Sequence, residues 1–230
     1  MKRLIITMQI GDRYRPVWNL MTPIIRRYAA KINADFKIIT FDNPIYKGLS
    51  FFLNKFNMFE NLPNYDQMIF LDSDILITPH APDVFEAHPK LNRFYGMDEG
   101  YTDRARIVQP YIDKYEVKWR KNEYGTYQHY NGGVWLFGNK CNLSHDLSEY
   151  LCIKGYEENF LNYILQKNKV KTINMDRKWN KICSDETIPR RDAYFIHYAG
   201  PGHIKYKDKS EIAALKMAQI REDVKYFYGE

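Results

Sequence analysis

Short apolar runs alternate with longer amphipathic stretches along the amino-terminal part of the chain. Leu4 to Met8 is nearly all apolar, which is typical of a buried strand. Pro16 to Ile32 places its apolar residues at helical spacing and has proline near its start, as helices often do. Phe36 to Thr40 is predicted to be a second strand, so these elements form the strand-helix-strand unit of a parallel sheet.

The same alternation continues to the end of the chain and predicts an α/β fold. Gln67 to Leu71 is a short apolar run bounded by turn residues, as expected of a central strand, and a helix near Ser50 to Asn61 precedes it. The remaining predicted elements are strands at Ile75 to Ile77, Phe94 to Met97, Gly133 to Phe137, Val170 to Ile173 and Tyr194 to His197, and helices at Lys140 to Lys154, Glu157 to Gln166 and Lys209 to Tyr226.

One long connection interrupts this pattern. The stretch from Asp98 to Gln128 is polar, aromatic and only weakly periodic. A connection of this length inside a compact domain more often forms a lid or binding loop than a passive link, so we expect it to contribute to binding. The length of 230 residues, without a repeat or a linker, predicts a single domain over residues 1–230.

Composition and charge exclude several classes of protein. With 45% apolar and 27% charged residues, the chain is predicted to be neither disordered nor an integral membrane protein. Nineteen tyrosines and thirteen phenylalanines suit carbohydrate or nucleobase contacts, although a tyrosine-rich core explains them equally well. The net charge of +6 favours an anionic partner, but the basic residues are scattered, which argues against nucleic acid.

The cysteines and the amino terminus bear on location. Three cysteines without a Cys-x-x-Cys spacing predict no disulfide framework and no structural zinc site, and they fit a reducing compartment. The first apolar run stops at Gln9 without a small-residue cleavage site, so it is predicted to be a strand and not a signal peptide. We therefore expect a cytoplasmic protein. Its oligomeric state, and whether its source is cellular or viral, stay open.

Two carboxylates at the end of the Gln67 to Leu71 strand are the sharpest chemical feature. Asp72 and Asp74 are two residues apart, so in extended chain both face one ligand. Ligands of open α/β sheets bind beyond the carboxyl ends of the strands, which is where this pair lies. Carboxylates that fill only part of a coordination sphere suit Mg²⁺ or Mn²⁺, with substrate phosphate filling the rest, although a solvated turn explains the spacing as well.

Two later segments join an apolar strand to turn residues. In Tyr130 to Phe137 an Asn-Gly-Gly triplet leads into a strand and lets backbone approach a ligand, although a plain hairpin turn is the commoner origin of such a triplet. In Phe195 to His203 a strand runs into a Gly-Pro-Gly turn between two histidines. A neutral imidazole there can complete the metal shell of two aspartates, although most such histidines are structural.

These three segments, in this order and at these separations, resemble the family 8 glycosyltransferases, the group that includes glycogenin and the bacterial lipopolysaccharide galactosyltransferases. In that family an Asp-x-Asp follows a strand, an Asn-Gly-Gly-like turn comes later, and a late His-Phe/Tyr-x-Gly-x-x-Lys segment closes the diphosphate site. The resemblance covers about Lys2 to Lys205. It implies a GT-A fold, with a mostly parallel central sheet flanked by helices. It also implies metal-dependent transfer of a hexosyl group from a nucleotide-diphosphate sugar, a UDP-sugar in most relatives, to a carbohydrate acceptor.

The resemblance further implies roles for individual residues. Asp72, Asp74 and His197 would bind Mn²⁺ or Mg²⁺ together with the donor diphosphate. Asn131 and Gly132 would contact the transferred sugar. The other residues expected at the donor are Thr7, Met8 and Gln9 beside the nucleotide base, and Lys55, Ser73, Asp98, Gly200 and Lys205.

Two departures from the family pattern bear on the mechanism. The family's Asp-Gln-Asp-x-x-Asn segment is Glu157 to Asn162 here, which places Glu158 where relatives carry an amide. If the reaction retains configuration, Glu158 and the adjacent Asn159 are candidate catalytic residues, with Glu158 as nucleophile or as stabiliser of an oxocarbenium ion. A helix N-terminus that favours acidic residues explains the pair equally well. The second departure is His203, which replaces the family lysine, so that Lys205 becomes the candidate diphosphate contact.

Two other classes of function stay open. A nucleotidyltransferase that makes sugar nucleotides shares this fold class and an acidic metal site. It should carry a glycine-rich basic loop after the first strand, and Gln9 to Arg13 is not such a loop. A non-catalytic module that binds a nucleotide sugar or a glycan would keep the fold without the chemistry. Turnover of a nucleotide sugar distinguishes the transferase from both.

Overall fold

The computed structural model describes residues 1–12, 14–100, 102–144, 146, 148–150, 156–183, 185–199 and 209–229. Its strands are β1 Arg3–Met8, β2 Asp35–Ile39, β3 Gln67–Leu71, β4 Ile75–Ile77, β5 Phe94–Gly96, β6 Val134–Gly138, β7 Thr172–Asn174, β8 Lys181–Ile182 and β9 Phe195–His197. Its α-helices are α1 Arg15–Lys31, α2 Val84–Ala87, α3 Ala105–Tyr115, α4 Glu157–Lys167 and α5 Lys209–Tyr228. Its 3₁₀ helices are Pro44–Tyr46, Phe51–Asn64, Arg177–Asn180 and Arg190–Asp192. None of the helices in these ranges has the length and apolar content of a membrane span.

The central sheet contains six of the described strands in the order β2-β1-β3-β6-β5-β7. Neighbouring strands are parallel except at β6, which runs antiparallel to both β3 and β5. A smaller sheet has the order β4-β9-β8, with β4 antiparallel and β8 parallel to β9. The α/β fold with a mostly parallel central sheet flanked by helices, which the sequence predicts, is confirmed.

Both faces of the central sheet are covered by apolar side chains. Successive residues of β3 point to opposite faces, so Ile69 packs in the core on the α1 side and Phe70 in the core on the side of the 3₁₀ helix Phe51–Asn64. All five residues of β3 are buried. Burial on both faces explains why this strand is a continuous apolar run in the sequence.

Strand pairing determines where the site forms. β3 ends at Leu71, and the chain turns through the next three residues into β4 of the smaller sheet. Leu71 is paired with Val134 of β6, and the backbone N–H of Asp72 donates to the carbonyl of Gly133 at 2.9 Å. Ile75 of β4 is paired with His197 of β9. These pairings bring three sequence-distant segments to the carboxyl end of β3.

Three predicted elements differ from the structure. The helix predicted near Ser50 to Asn61 is a 3₁₀ helix that extends over Phe51–Asn64. The stretch from 98 to 128 is not a continuous loop, because α3 lies within it. This helix buries only Val108 and Tyr111, and two apolar positions are too few to reveal a helical period in the sequence. Of the predicted helix from 140 to 154, residues 140–144 are not helical and 148–150 are, while 145, 147 and 151–155 lie outside the described residues.

Candidate active site

Asp72, Asp74 and His197 converge at the carboxyl end of β3. One ligand atom from each lies within 4.8 Å of the others. The Nε2 atom of His197 is 3.4 Å from an oxygen of Asp74 and 3.7 Å from an oxygen of Asp72. The aspartates stand on the turn between β3 and β4, and the histidine ends the strand that pairs with β4. The three residues that the sequence predicts as metal ligands therefore form one cluster.

A chain of amide side chains orients His197. Its Nδ1 atom lies 3.0 Å from Oδ1 of Asn180. Asn180 donates from Nδ2 to Oδ1 of Asn131 at 2.9 Å, and Asn131 donates from Nδ2 to a carboxylate oxygen of Glu99 at 2.9 Å. Because the backbone N–H of Gly133 donates to the same Oδ1 of Asn131, this oxygen is an acceptor, so Asn180 donates to it from Nδ2 and offers Oδ1 to a protonated Nδ1 of a neutral His197. The lone pair of Nε2 then faces the aspartates.

This donor set fits a divalent metal ion. Two carboxylates and a neutral imidazole supply hard oxygen and nitrogen ligands, and they leave coordination positions for water or phosphate oxygens. Metal-binding histidines usually donate their second N–H to a neighbouring acceptor, as His197 does to Asn180. The cluster is therefore a possible site for Mn²⁺ or Mg²⁺.

Lys55 connects the cluster to the start of α4. Its side chain is 2% exposed, and its Nζ atom lies 2.8 Å from Asp72, 2.7 Å from Glu157 and 3.2 Å from the carbonyl oxygen of Gly132. The three protons of the ammonium group thus have three acceptors. Burial disfavours the charge, but the two carboxylates outweigh burial and raise the pKa of Lys55. Lys55 holds Asp72 and Glu157 in place as a permanent cation.

The two aspartates have different environments. Burial raises the pKa of Asp72, although Lys55 beside it acts in the opposite direction. Burial also acts to raise the pKa of Asp74, but the neighbouring side chains of His197 and Lys216 outweigh burial and lower that pKa. Lys216 belongs to α5, and its Nζ atom donates to Asp74 Oδ2 at 2.8 Å. Asp74 is therefore the more firmly ionised member of the pair.

Glu158 lies beside the Asn-Gly-Gly turn. Its Oε2 atom accepts a hydrogen bond of 3.0 Å from the backbone N–H of Gly132. Burial and the neighbouring Glu157 raise the pKa of Glu158. The side chain of Asn159 instead bonds with His129 at 2.9 Å and is buried away from the cleft. The structure thus brings Glu158, and not Asn159, to the residues expected at the transferred sugar.

A cleft of about 620 Å³ opens over these groups. The sequence-predicted residues that line it are Met8, Lys55, Asp72, Ser73, Asp74, Asn131, Gly132, Glu158 and His197. Asp98 is not among the residues that line the cleft; it accepts hydrogen bonds from the backbone N–H groups of Gly100 and His129. Thr7 is buried within β1, and Gln9 donates to Thr22 and lines a separate groove along α1. Gly200 and Lys205 lie outside the described residues.

Several residues of the cleft were not predicted from the sequence. They are mostly aromatic or belong to α5, and they are Tyr14, Trp18, Phe51, Phe52, Tyr156, Ile212, Ala213 and Lys216. Tyr14 and Trp18 do carry a signal, because they are four residues apart just after β1, where the chain leaves the carboxyl edge of the sheet. Lys216 has no local signal, since its position depends on how α5 packs.

This fold is that of the GT-A-type glycosyltransferases. The model of the family described as "Glycosyl transferase family 8" matches residues 9–205. The match covers most of the 230 residues, so the chain belongs to glycosyl transferase family 8.

Solved glycosyltransferase structures share the fold. The galactosyltransferase LgtC, in complex with donor and acceptor sugar analogues, is 13% identical with a TM-score of 0.58, over 96% of this chain and 95% of that chain. A glycosyltransferase involved in the glycosylation of the major capsid of PBCV-1 is 11% identical with a TM-score of 0.60, over 96% of this chain and 100% of that chain. A comparison with curated proteins finds no match. Family and fold together support glycosyl transfer as the activity of this chain.

Gly133 leaves the space that His197 occupies. A Cβ atom at this position would lie 2.2 Å from Cε1 of His197, so Gly133→Ala should displace the imidazole. We expect the substitution to weaken Mn²⁺ binding about tenfold or more, measured by isothermal titration calorimetry. Gly132→Ala is the matched control, because its added Cβ would meet the carboxylate of Glu158 at 3.0 Å instead of the imidazole of His197. Equal Mn²⁺ affinity in the two variants would contradict the placement of His197 as a ligand.

Proposed function

We propose that this chain transfers a hexosyl group from a UDP-sugar to a glycan acceptor, in a metal-dependent reaction that retains configuration. The observation that supports this most is the cluster of Asp72, Asp74 and His197 in a cleft also lined by aromatic side chains and by Glu158. Such a cleft offers groups for each part of a nucleotide-diphosphate sugar. The metal ligands suit the diphosphate, and the rings suit the base.

The aromatic lining supports nucleotide binding. Tyr14, Trp18, Phe51 and Phe52 line the cleft, and flat rings of this kind stack on nucleobases. These rings suit a nucleobase without selecting one, and the proposal of uridine follows the UDP-sugars that the family resemblance implies.

The residues around the metal site support stabilisation of the leaving group. Asp72, Asp74 and His197 would hold Mn²⁺ or Mg²⁺, and a bound divalent ion acts as a Lewis acid that stabilises the departing diphosphate. Lys55 keeps Asp72 in position, and Asn180 keeps the Nε2 atom of His197 turned toward the aspartates. These positioning contacts exist before any ligand binds, so they lower the cost of organising the site.

Glu158 is the proposed catalytic carboxylate. Its hydrogen bond from the Gly132 N–H holds it beside the residues expected at the transferred sugar. There it can attack the anomeric carbon as the bond to the UDP oxygen breaks, and the acceptor hydroxyl, losing its proton, then displaces the carboxylate. Alternatively, it can stabilise positive charge on that carbon while the acceptor hydroxyl attacks from the face that UDP leaves. In both mechanisms the charge of the carboxylate acts on the transition state and not on nucleotide binding.

Glu158→Gln therefore separates catalysis from binding. The substitution keeps the shape of the side chain and removes its charge. We expect kcat to fall on the order of 10²-fold, as for the loss of one group that stabilises a transition state, while UDP affinity stays within about twofold. Initial rates of UDP release give kcat, and calorimetry gives the affinity. An unchanged kcat would contradict the assignment of Glu158.

The function itself is tested with a panel of UDP-, GDP- and TDP-sugars, incubated with the chain in the presence and absence of Mn²⁺. Slow hydrolysis without an acceptor is sufficient to detect turnover. We expect one UDP-sugar to be cleaved only with metal, and the first sugar released, identified by proton NMR, to keep the anomeric configuration of the donor. Nucleotide binding without cleavage of any donor, even with glycan acceptors present, would favour a binding module. Formation of a sugar nucleotide from a nucleoside triphosphate and a sugar phosphate would favour a nucleotidyltransferase.

A further inference from the structure

The helix α5 places a lysine on a face that is otherwise apolar. Lys216, Ile220 and Val224 are four residues apart, so they share one face of the helix. Ile220 and Val224 are buried in the core, and the buried Asp223 accepts hydrogen bonds from Arg190 and Tyr198. The carboxyl-terminal half of α5 is thereby anchored. Lys216 stands on the same face one turn earlier, where the helix passes over the cleft.

Lys216 reaches into the metal site. Its side chain is 20% exposed, and its Nζ atom is 2.8 Å from Oδ2 of Asp74. The other oxygen of Asp74 lies 3.4 Å from Nε2 of His197. One carboxylate thus faces both the imidazole and the ammonium group. Any ion bound by Asp74 has the charge of Lys216 as a near neighbour.

The charges of the cleft distinguish Lys216 from Lys55. Four carboxylates and these two lysines are among the described residues that line the cleft. The three acceptors around Lys55 leave none of its protons for a ligand. Lys216 has Asp74 as its hydrogen-bond partner within the described part of the chain, so two of its ammonium protons are free to contact an anion.

We propose that Lys216 is a donor-binding residue, whose ammonium group competes with the metal ion for Asp74 and contacts the diphosphate of the bound nucleotide. A divalent ion and an ammonium group on one carboxylate repel each other, so metal binding disfavours the Lys216–Asp74 pair. The flexible stem of lysine lets the charge move, and the diphosphate oxygens supply its new partners. The inference rests on the proposed function.

Two titrations with Lys216→Met test the assignment. Competition for Asp74 predicts that the variant gains affinity for Mn²⁺, and donor binding predicts that it loses affinity for UDP. Titrated with Mn²⁺ alone, the variant should bind the ion about threefold or more tightly than the native chain, since a competing cation is gone. Titrated with UDP at saturating Mn²⁺, it should bind about tenfold more weakly, the loss of one charge-assisted contact. Lys216→Arg should keep UDP affinity within about threefold, because it restores the charge.

Lys225→Met is the matched control. Lys225 is exposed and lies nine residues further along the same helix, about 13 Å along its axis, so both affinities should stay at native values. A Lys216→Met chain that binds UDP as tightly as the native chain would overturn the assignment. So would a parallel loss of both affinities with a lowered Tm, which indicates a structural role. If the native chain binds no UDP with Mn²⁺, the proposed function fails first, and this assignment with it.

Discussion

Asp74→Asn is expected to abolish metal-dependent release of nucleotide from the donor. Asparagine keeps the size of the side chain but removes the charge that holds a divalent ion. Asp74 is ionised in the native chain, because His197 and Lys216 outweigh burial and lower the pKa of its carboxyl group. Since the ion stabilises the leaving diphosphate, we expect the initial rate of UDP release at saturating donor to fall on the order of 10³-fold.

The matched control for this experiment is Asp113→Asn. Asp113 lies on α3 with an exposed side chain and is not part of the cleft lining. The Asp113→Asn chain should therefore release UDP at the native rate. Thermal melts of both variants show whether they are folded. A folded Asp74→Asn chain with more than about a tenth of the native rate would contradict a catalytic metal site built on this residue.

Lys55→Met is expected to destabilise the fold more than any other single change in the cleft. Methionine fits the space but leaves the carboxylates of Asp72 and Glu157 without their shared cation. Removing one partner of a buried ion pair typically costs 3–5 kcal/mol, and we expect about 3 kcal/mol here because the side chain of Asp72 is 24% exposed. For a domain of this size such a loss lowers Tm by about 6–12 °C.

Urea unfolding measures this loss directly. Lys47→Met is the control. Lys47 is exposed and lies just before the 3₁₀ helix Phe51–Asn64 that carries Lys55, so this variant should have the native free energy of unfolding. Adding Glu157→Gln to Lys55→Met removes one of the two stranded charges, so the double variant should recover part of the stability. A Lys55→Met chain with a native Tm would contradict the buried ion-pair network.

The sequence allows the candidate metal-binding cluster to be predicted, because its members stand at the ends of apolar strands. Gln67 to Leu71 is recognisable as a central strand because burial of both faces makes it a continuous apolar run. The carboxylates that follow it must then lie at the carboxyl end of that strand. His197 is found in the same way at the end of β9. What brings these residues together is pairing between strands, which a single sequence does not encode visibly.

The contacts that hold these residues in place were not predictable. Lys55 and Glu157 are 102 residues apart, and Asp74 and Lys216 are 142 residues apart. The amide chain from Glu99 to His197 likewise joins four separate segments. In the local sequence, each of these residues looks like an ordinary polar residue. Only the packed fold shows which of them meet, since hydrogen bonds between distant side chains leave no local pattern.

The most direct test of the account is a calorimetric titration of UDP into the native chain, once with Mn²⁺ and once with EDTA. If Asp72, Asp74 and His197 hold a metal ion that binds the diphosphate, UDP should bind at one site per chain and about tenfold or more tightly with Mn²⁺. The double variant Asp72→Asn and Asp74→Asn should lose this difference. UDP binding of equal strength in both buffers, or a metal effect that survives in the double variant, would contradict the account.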